Sequence, residues 1–238
     1  MVATGMGFLF AGLLIHGGRL HTGEGVGRHP LLESLEAAGA SILATEVSVW
    51  AAVDASLPAA MRELKEWAQR LVPAGSAGVE LFSVAEEGYR AVYFRGEDRR
   101  GGSWTASASW IAGSGGIELA LHRYLYGPAD DLSREVHAAR SVLERAVGRP
   151  VTGAAAKVRI EARPGEGGDA EVLAASIIAG AGGTLRYLST QGDRVVAKGY
   201  TPRLTGGVVD AAAGRVNLEV SIAPRGRAQW IEIGWPRL

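Results

Sequence analysis

Two pairs of adjacent carboxylates, Glu86-Glu87 and Asp130-Asp131, are the first residues here whose type and spacing suggest chemistry. Paired acids can divide general acid and general base work between them. Their surroundings assign them another task. Glu86-Glu87 runs into Gly88 between two strand-like stretches, the setting of a hairpin loop. Asp130-Asp131 opens a helical pattern, where a carboxylate caps free N–H groups and meets the positive end of the helix dipole. The chain holds no His-Glu-x-x-His, no Walker A loop and no Gly-x-Ser-x-Gly. It has no Cys, which excludes disulfides, thiolate metal sites and cysteine nucleophiles. His16, His21 and His29 share no spacing on a regular element, so neither a metal nor another cofactor is expected. Gly180-Ala181-Gly182-Gly183 and Gly113-Ser114-Gly115-Gly116 sit where a helix end and a hairpin need positive φ, not where strand, loop and helix would cradle phosphate. No catalytic residues are assigned, and the chain is read as a non-enzyme.

Four cations form the candidate binding set: Lys157, Arg159, Arg186 and Lys198. Lys157 and Arg159 alternate onto one face of a predicted strand. Arg186 and Lys198 lie on predicted strands that can bring them to the same face. A weakly cationic sheet surface follows, with Glu161 and Glu219 as counter-charges, suited to an anionic envelope polymer or a protein partner. The chain has six Trp. Trp50, Trp104, Trp110 and Trp230 fall at apolar phases of strands and Trp67 on an amphipathic helix, so packing is their expected role. Stacking of bases or sugars on an open sheet face is the other use such rings have.

Overall charge narrows the partners. The 238 residues carry 25 Lys+Arg and 25 Asp+Glu, and a net charge of zero argues against bulk nucleic-acid binding. Residues 1–150 are slightly acidic and residues 151–238 slightly basic.

The elements that position these residues follow from periodicity. A short helix is predicted over 31–38 and a β-branched strand over 41–52. Ser56 and Pro58 start a helix over 57–72, with Leu57, Met61, Leu64, Ala68 and Leu71 at helical spacing. Strands follow at 79–84, 89–95, 103–111 and 117–126, joined by hairpin-length connections. In Ser103 to Trp110 the even positions are set to face a core and the hydroxyl-bearing odd positions water. Asp130 or Asp131 caps a long helix that ends at Gly148-Arg149-Pro150. The order then recurs: a strand over 151–162, a helix over 169–179 that is apolar nearly all round and so expected to be buried, and strands at 184–190, 194–200, 215–222 and 228–235.

Runs of antiparallel strands with segregated helices make an α+β protein. Residues 30–149 and 150–238 read as two pseudo-repeated halves, each strand, helix and four strands, joined by a long helix, with the helices on one face of the sheet. Residues 1–29 read as a separate start. Gly7 to Ile15 is an uncharged apolar run of signal-peptide length, followed by a Gly-rich spacer. An extracytoplasmic location is expected, with membrane contact only through an uncleaved N-terminus.

The layout resembles the YwmB family, exported proteins of unknown function from Gram-positive spore-formers. The residues that carry the resemblance lie near the C-terminus: Asn217-Leu218 within a strand, Gly234 and Pro236 closing the next, and Gly183-Thr184-Leu185 opening a hairpin strand. The resemblance implies a TATA-box-binding-like architecture, two related α/β halves in one curved sheet, and no established catalytic residues. The expected function is that of an exported, non-catalytic envelope protein that binds a protein partner or wall component through an open sheet face. A nucleic-acid-binding module by fold analogy and a carboxylate-dependent wall hydrolase are the alternatives.

Overall fold

The computed structural model describes residues 29–54, 59–97, 101–114, 116–127, 131–148, 155–165, 169–204, 208–210, 212–225 and 228–236. The expectations for the apolar run at 7–15, for Ser56 and Pro58, and for Asp130 lie outside these residues. The first half comprises α1 (Pro30–Ala37), β1 (Ser41–Asp54), α2 (Met61–Arg70), β2 (Ala77–Glu86), β3 (Tyr89–Glu97), β4 (Ser103–Ile111), β5 (Gly116–Tyr126) and α3 (Leu132–Val147). The second comprises β6 (Ala155–Arg163), α4 (Ala170–Gly180), β7 (Thr184–Gln191), β8 (Arg194–Tyr200), β9 (Val208–Asp210), β10 (Gly214–Val216), β11 (Leu218–Arg225) and β12 (Ala228–Pro236).

Ten strands form one antiparallel sheet in the order β2-β3-β4-β5-β1-β6-β12-β11-β8-β7, so the fold is α+β with four helices among the described residues. β1 and β6 meet at the centre, with Ser41 to Trp50 in register against Arg163 to Ala155. Alternation decides which side chains face the helices. Val47, Val49 and Ala51 of β1, Ile117, Leu119 and Leu121 of β5, Val158, Ile160 and Ala162 of β6, and Ile231 and Ile233 of β12 are all buried on one side. α2 packs on β3 and β4, α3 on β1 and β5, and α4 on β7, β8 and β11. One hydrophobic core runs from Trp104 and Leu64 in the first half to Ile178 and Val220 in the second.

The helix ends follow local chemistry. Asp131 Oδ1 accepts from Arg134 N at 2.9 Å, and Gly148 closes α3 in the left-handed conformation at φ 74°. Asp169 caps α4 by accepting from Glu171 N at 2.8 Å. α2 starts after Ala60 with no side-chain cap bond and is anchored by buried Leu64 and Ala68. α1 is capped by His29, whose Nδ1 accepts from Leu31 N at 3.3 Å, so His29 belongs to the folded body rather than to a spacer.

Three expectations need correction. The strand over 215–222 is two strands, β10 and β11, separated at Asn217, whose backbone N–H donates to Gly199 O at 3.0 Å while its buried side-chain amide holds Thr201 and Leu204. β9, not expected from the pattern, pairs with β10 as a small second sheet. α4 is not buried all round: Ala174, Ile177 and Ile178 face the core, whereas Val172 is 63% exposed on a side that no described element packs over.

Candidate functional site

The face of the sheet opposite the helices is the candidate site. Side chains from every strand reach it, and the register lays them in rows. One row runs Ser103, Tyr124, Glu46, Arg159, Gly234, Glu219, Lys198 and Tyr187 across eight strands. The next contains Glu161, Glu232, Ser221 and Val196. Glu161 and Glu232 stand directly opposite each other on β6 and β12. Like charges so placed repel, and a cation between them removes the repulsion.

Arg159 is that cation. Its guanidinium lies 2.9 Å from Glu232 Oε1, 3.2 Å from Glu161 Oε1 and 3.6 Å from Glu46 Oε2. The Nε–H is not aimed at Glu232 despite the short separation, so that contact is an ion pair without an aligned hydrogen bond. Beside Glu46, Ser48 Oγ donates to Glu46 Oε1 at 3.1 Å, and His122 Nδ1 lies 2.8 Å from the same hydroxyl. Burial lowers the His122 pKa and the Glu46 charge opposes that shift, so the imidazole is held towards its neutral form. With the serine proton directed at the carboxylate, the order is His–Ser–Glu. A nucleophilic triad needs the imidazole in the middle, as base to the hydroxyl.

A shallow hollow of about 210 Å³ opens next to this network. Arg159, Glu161, Arg194, Ser221, Trp230 and Glu232 line it. Short side chains make the room: Ser221 and Ala223 of β11 face the longer Glu232 and Trp230 of β12 in register. Arg194 Nε donates to Ser221 Oγ at 2.6 Å, and both residues line the hollow.

The four cations read from the sequence have different fates. Arg159 is surrounded by carboxylates. Lys198 Nζ lies 2.5 Å from Asp210 Oδ2, and that bond raises the lysine pKa and holds the Asp210 carboxyl down at about 2. Lys198 also lies near the Tyr187 ring, and Arg215 of β10 lies over Tyr200 at 5.0 Å, so the β9–β10 hairpin folds onto the open face at β8. Arg186 is exposed at the irregular register between Leu185 and Tyr187 on an edge strand. Lys157 stands in register with Ser48 and Pro236, and its side chain lies outside the described residues. Arg159 and Lys198 share one row of the open face, and both are paired with acids, Arg159 with Glu46, Glu161 and Glu232 and Lys198 with Asp210.

The tryptophans divide in the same way. Trp104 is buried, and Trp67 and Trp110 pack against the core. Trp50 and Trp230 instead alternate onto the open face, each half-buried. Their phase is opposite to that of Val49 and Ile231, a signal already present in the alternation. Glu86 ends β2 and Glu87 lies in its hairpin turn, both exposed. Ser107, expected in water, is 8% exposed because Tyr93 and Ala120 flank it in register. Among the described residues no helix is long and apolar enough to cross a membrane.

No family model and no curated protein matches the chain. Among solved structures it is similar to DynU16, a protein from the dynemicin biosynthetic locus, at 13% identity and a TM-score of 0.22, over 79% of this chain and 86% of that one.

Proposed function

We propose that this is a non-catalytic, exported envelope protein that binds a protein partner or wall component through the open face of its sheet. The observation that carries the reading is the one-sided placement of the helices, which leaves Trp50, Tyr124, Tyr126 and Trp230 on a face that no described helix covers. A soluble sheet without a binding role keeps that face largely polar; here Tyr126 is 72% exposed beside Tyr124, ring centroids 5.3 Å apart. The uncharged apolar run at 7–15 supports export. The YwmB-like reading is part of this proposal and rests on element order and on Asn217, Leu218, Gly234 and Pro236. So is a TATA-box-binding-like pair of related halves. In its favour, the strand order reads alike from either edge, with β1, β2, β3, β4 and β5 answering to β6, β7, β8, β11 and β12. The pairing of Arg159 and Lys198 with acids weighs against a nucleic-acid or strongly anionic partner, since neither cation is available to a phosphate backbone.

The test has two parts. Fractionation of the native host with sequencing of the mature N-terminus is expected to find the protein outside the cytoplasm. Purified protein is expected to co-sediment with isolated envelope, and Tyr126→Lys with Tyr124→Lys to reduce retention about tenfold. Cytosolic protein with Met1 intact overturns export, and retention unaffected by the two lysines overturns the open face as the binding surface.

A further inference from the structure

We propose that the hollow between β6, β12, β11 and β8 binds one ring of an uncharged, polyhydroxylated ligand, the sugar unit of a neutral glycan. This rests on the open-face reading above and names the ligand class. The lining selects that chemistry by elimination and by fit. Two guanidinium groups, Arg159 and Arg194, face two carboxylates, Glu161 and Glu232, so the described lining carries no net charge to hold an ion. Arg159 is already engaged by Glu46, Glu161 and Glu232, so it is not open to a bidentate clamp on phosphate or carboxylate. Its positive charge between the acids also repels an ammonium group. What the hollow does offer is acceptors. Each carboxylate has about four lone-pair sites, more than one guanidinium consumes, and Ser221 Oγ adds another polar atom. Hydroxyl groups are the donors that fit acceptors held in fixed positions without adding charge.

Trp230 supplies the other half of the recognition. An indole beside fixed acceptors suits a ring that is apolar on its faces and polar around its rim. Glu232 and Trp230 are two residues apart on β12 and so share a face, while Ala223, in register with Trp230, leaves space in front of it. The ion network also pre-organises the acceptors. Glu161 and Glu232 are held by Arg159, and Ser221 by Arg194, so little side-chain freedom remains to be lost on binding.

Chitotetraose, an uncharged β-linked oligosaccharide, is titrated against the full-length protein with Trp fluorescence and saturation-transfer NMR as readouts. Saturable binding is expected, weakened about tenfold or more by Trp230→Ala and by Arg194→Gln, and unchanged by Arg62→Ala on the far side of the sheet. Thermal melts of each variant establish that it is folded, and the NMR signal does not depend on Trp230 emission. Absence of sugar binding by protein that still co-sediments with envelope overturns the sugar site and leaves the open-face reading standing. Absence of both overturns both. Binding of polyphosphate in place of the sugar, weakened by salt, overturns the claim that the hollow selects a neutral ligand.

Discussion

Asn217 and Thr201 exchange two hydrogen bonds at the centre of the second half. Thr201 N donates to Asn217 Oδ1 at 2.8 Å, and Asn217 Nδ2 donates to Thr201 O at 2.7 Å. The second amide proton goes to Leu204 O at 2.8 Å, so the side chain ties the segment that follows β8 to the junction of β10 and β11. Both residues are fully buried. Asn217→Ala strands one N–H and two carbonyls away from water and is expected to cost about 2–4 kcal/mol. Urea denaturation will read this as a lower midpoint at unchanged slope. Asn217→Asp keeps the acceptor, loses both donors, and is expected to be no better.

Arg123 of β5 and Glu135 of α3 form an ion pair beneath the sheet, both largely shielded from solvent. Removing one member of a buried ion pair takes away the attraction that offsets the desolvation of the other, so Arg123→Met alone is expected to destabilise by about 3–5 kcal/mol. Arg123→Met with Glu135→Met removes both charges and should recover most of that loss. A double-mutant cycle measures the coupling, and additive single effects would show that the two side chains act independently.

His29 gives the folded state a pH dependence. Desolvation lowers its pKa from 6.5 to about 4, against the opposing charges of Asp131 and Glu33. The unfolded chain therefore binds the extra proton first. Stability from this group is complete above about pH 6.5 and falls as pH drops towards 4, by about 3 kcal/mol in all. Asn at this position caps a helix without titrating. Chemical denaturation of His29→Asn between pH 7 and 4 is expected to show a shallower decline than the unaltered protein, and equal slopes would remove His29 as the cause.

Gly199 is set by close packing. A Cβ there would lie 2.6 Å from Ile178 Cγ2 and 3.1 Å from Thr184 O, because α4 lies directly on β8. Gly199→Ala is expected to destabilise by about 1–3 kcal/mol. Ile178→Ala in the same chain should make the Gly199→Ala step less costly, which thermal melts of the four-member cycle will reveal.

Much of the element order was legible because it depends on neighbours in sequence. β4 and β8 lie at the boundaries their alternation indicates, and α3 runs between Asp131 and Gly148, each for a local reason. The break at Asn217 was visible as one amide in an apolar strand, but its meaning was not, since the groups it satisfies are 13 and 16 residues away. The candidate site was the least legible part. Arg159 could be placed on a strand face, yet its environment comes from Glu46, 113 positions earlier, and Glu232, 73 positions later.

By itself, then, the sequence determined the α+β class, most of the strands and helices, and which side chains each strand turns to a common side, because pleat and helical pitch are properties of a single segment. Only the tertiary structure decided that β1 and β6 meet at the centre and that Arg159 and Lys198 are paired with acids from distant segments. Those outcomes depend on strand order and register between distant segments, and the electrostatic character of a sheet face is the sum over neighbouring strands.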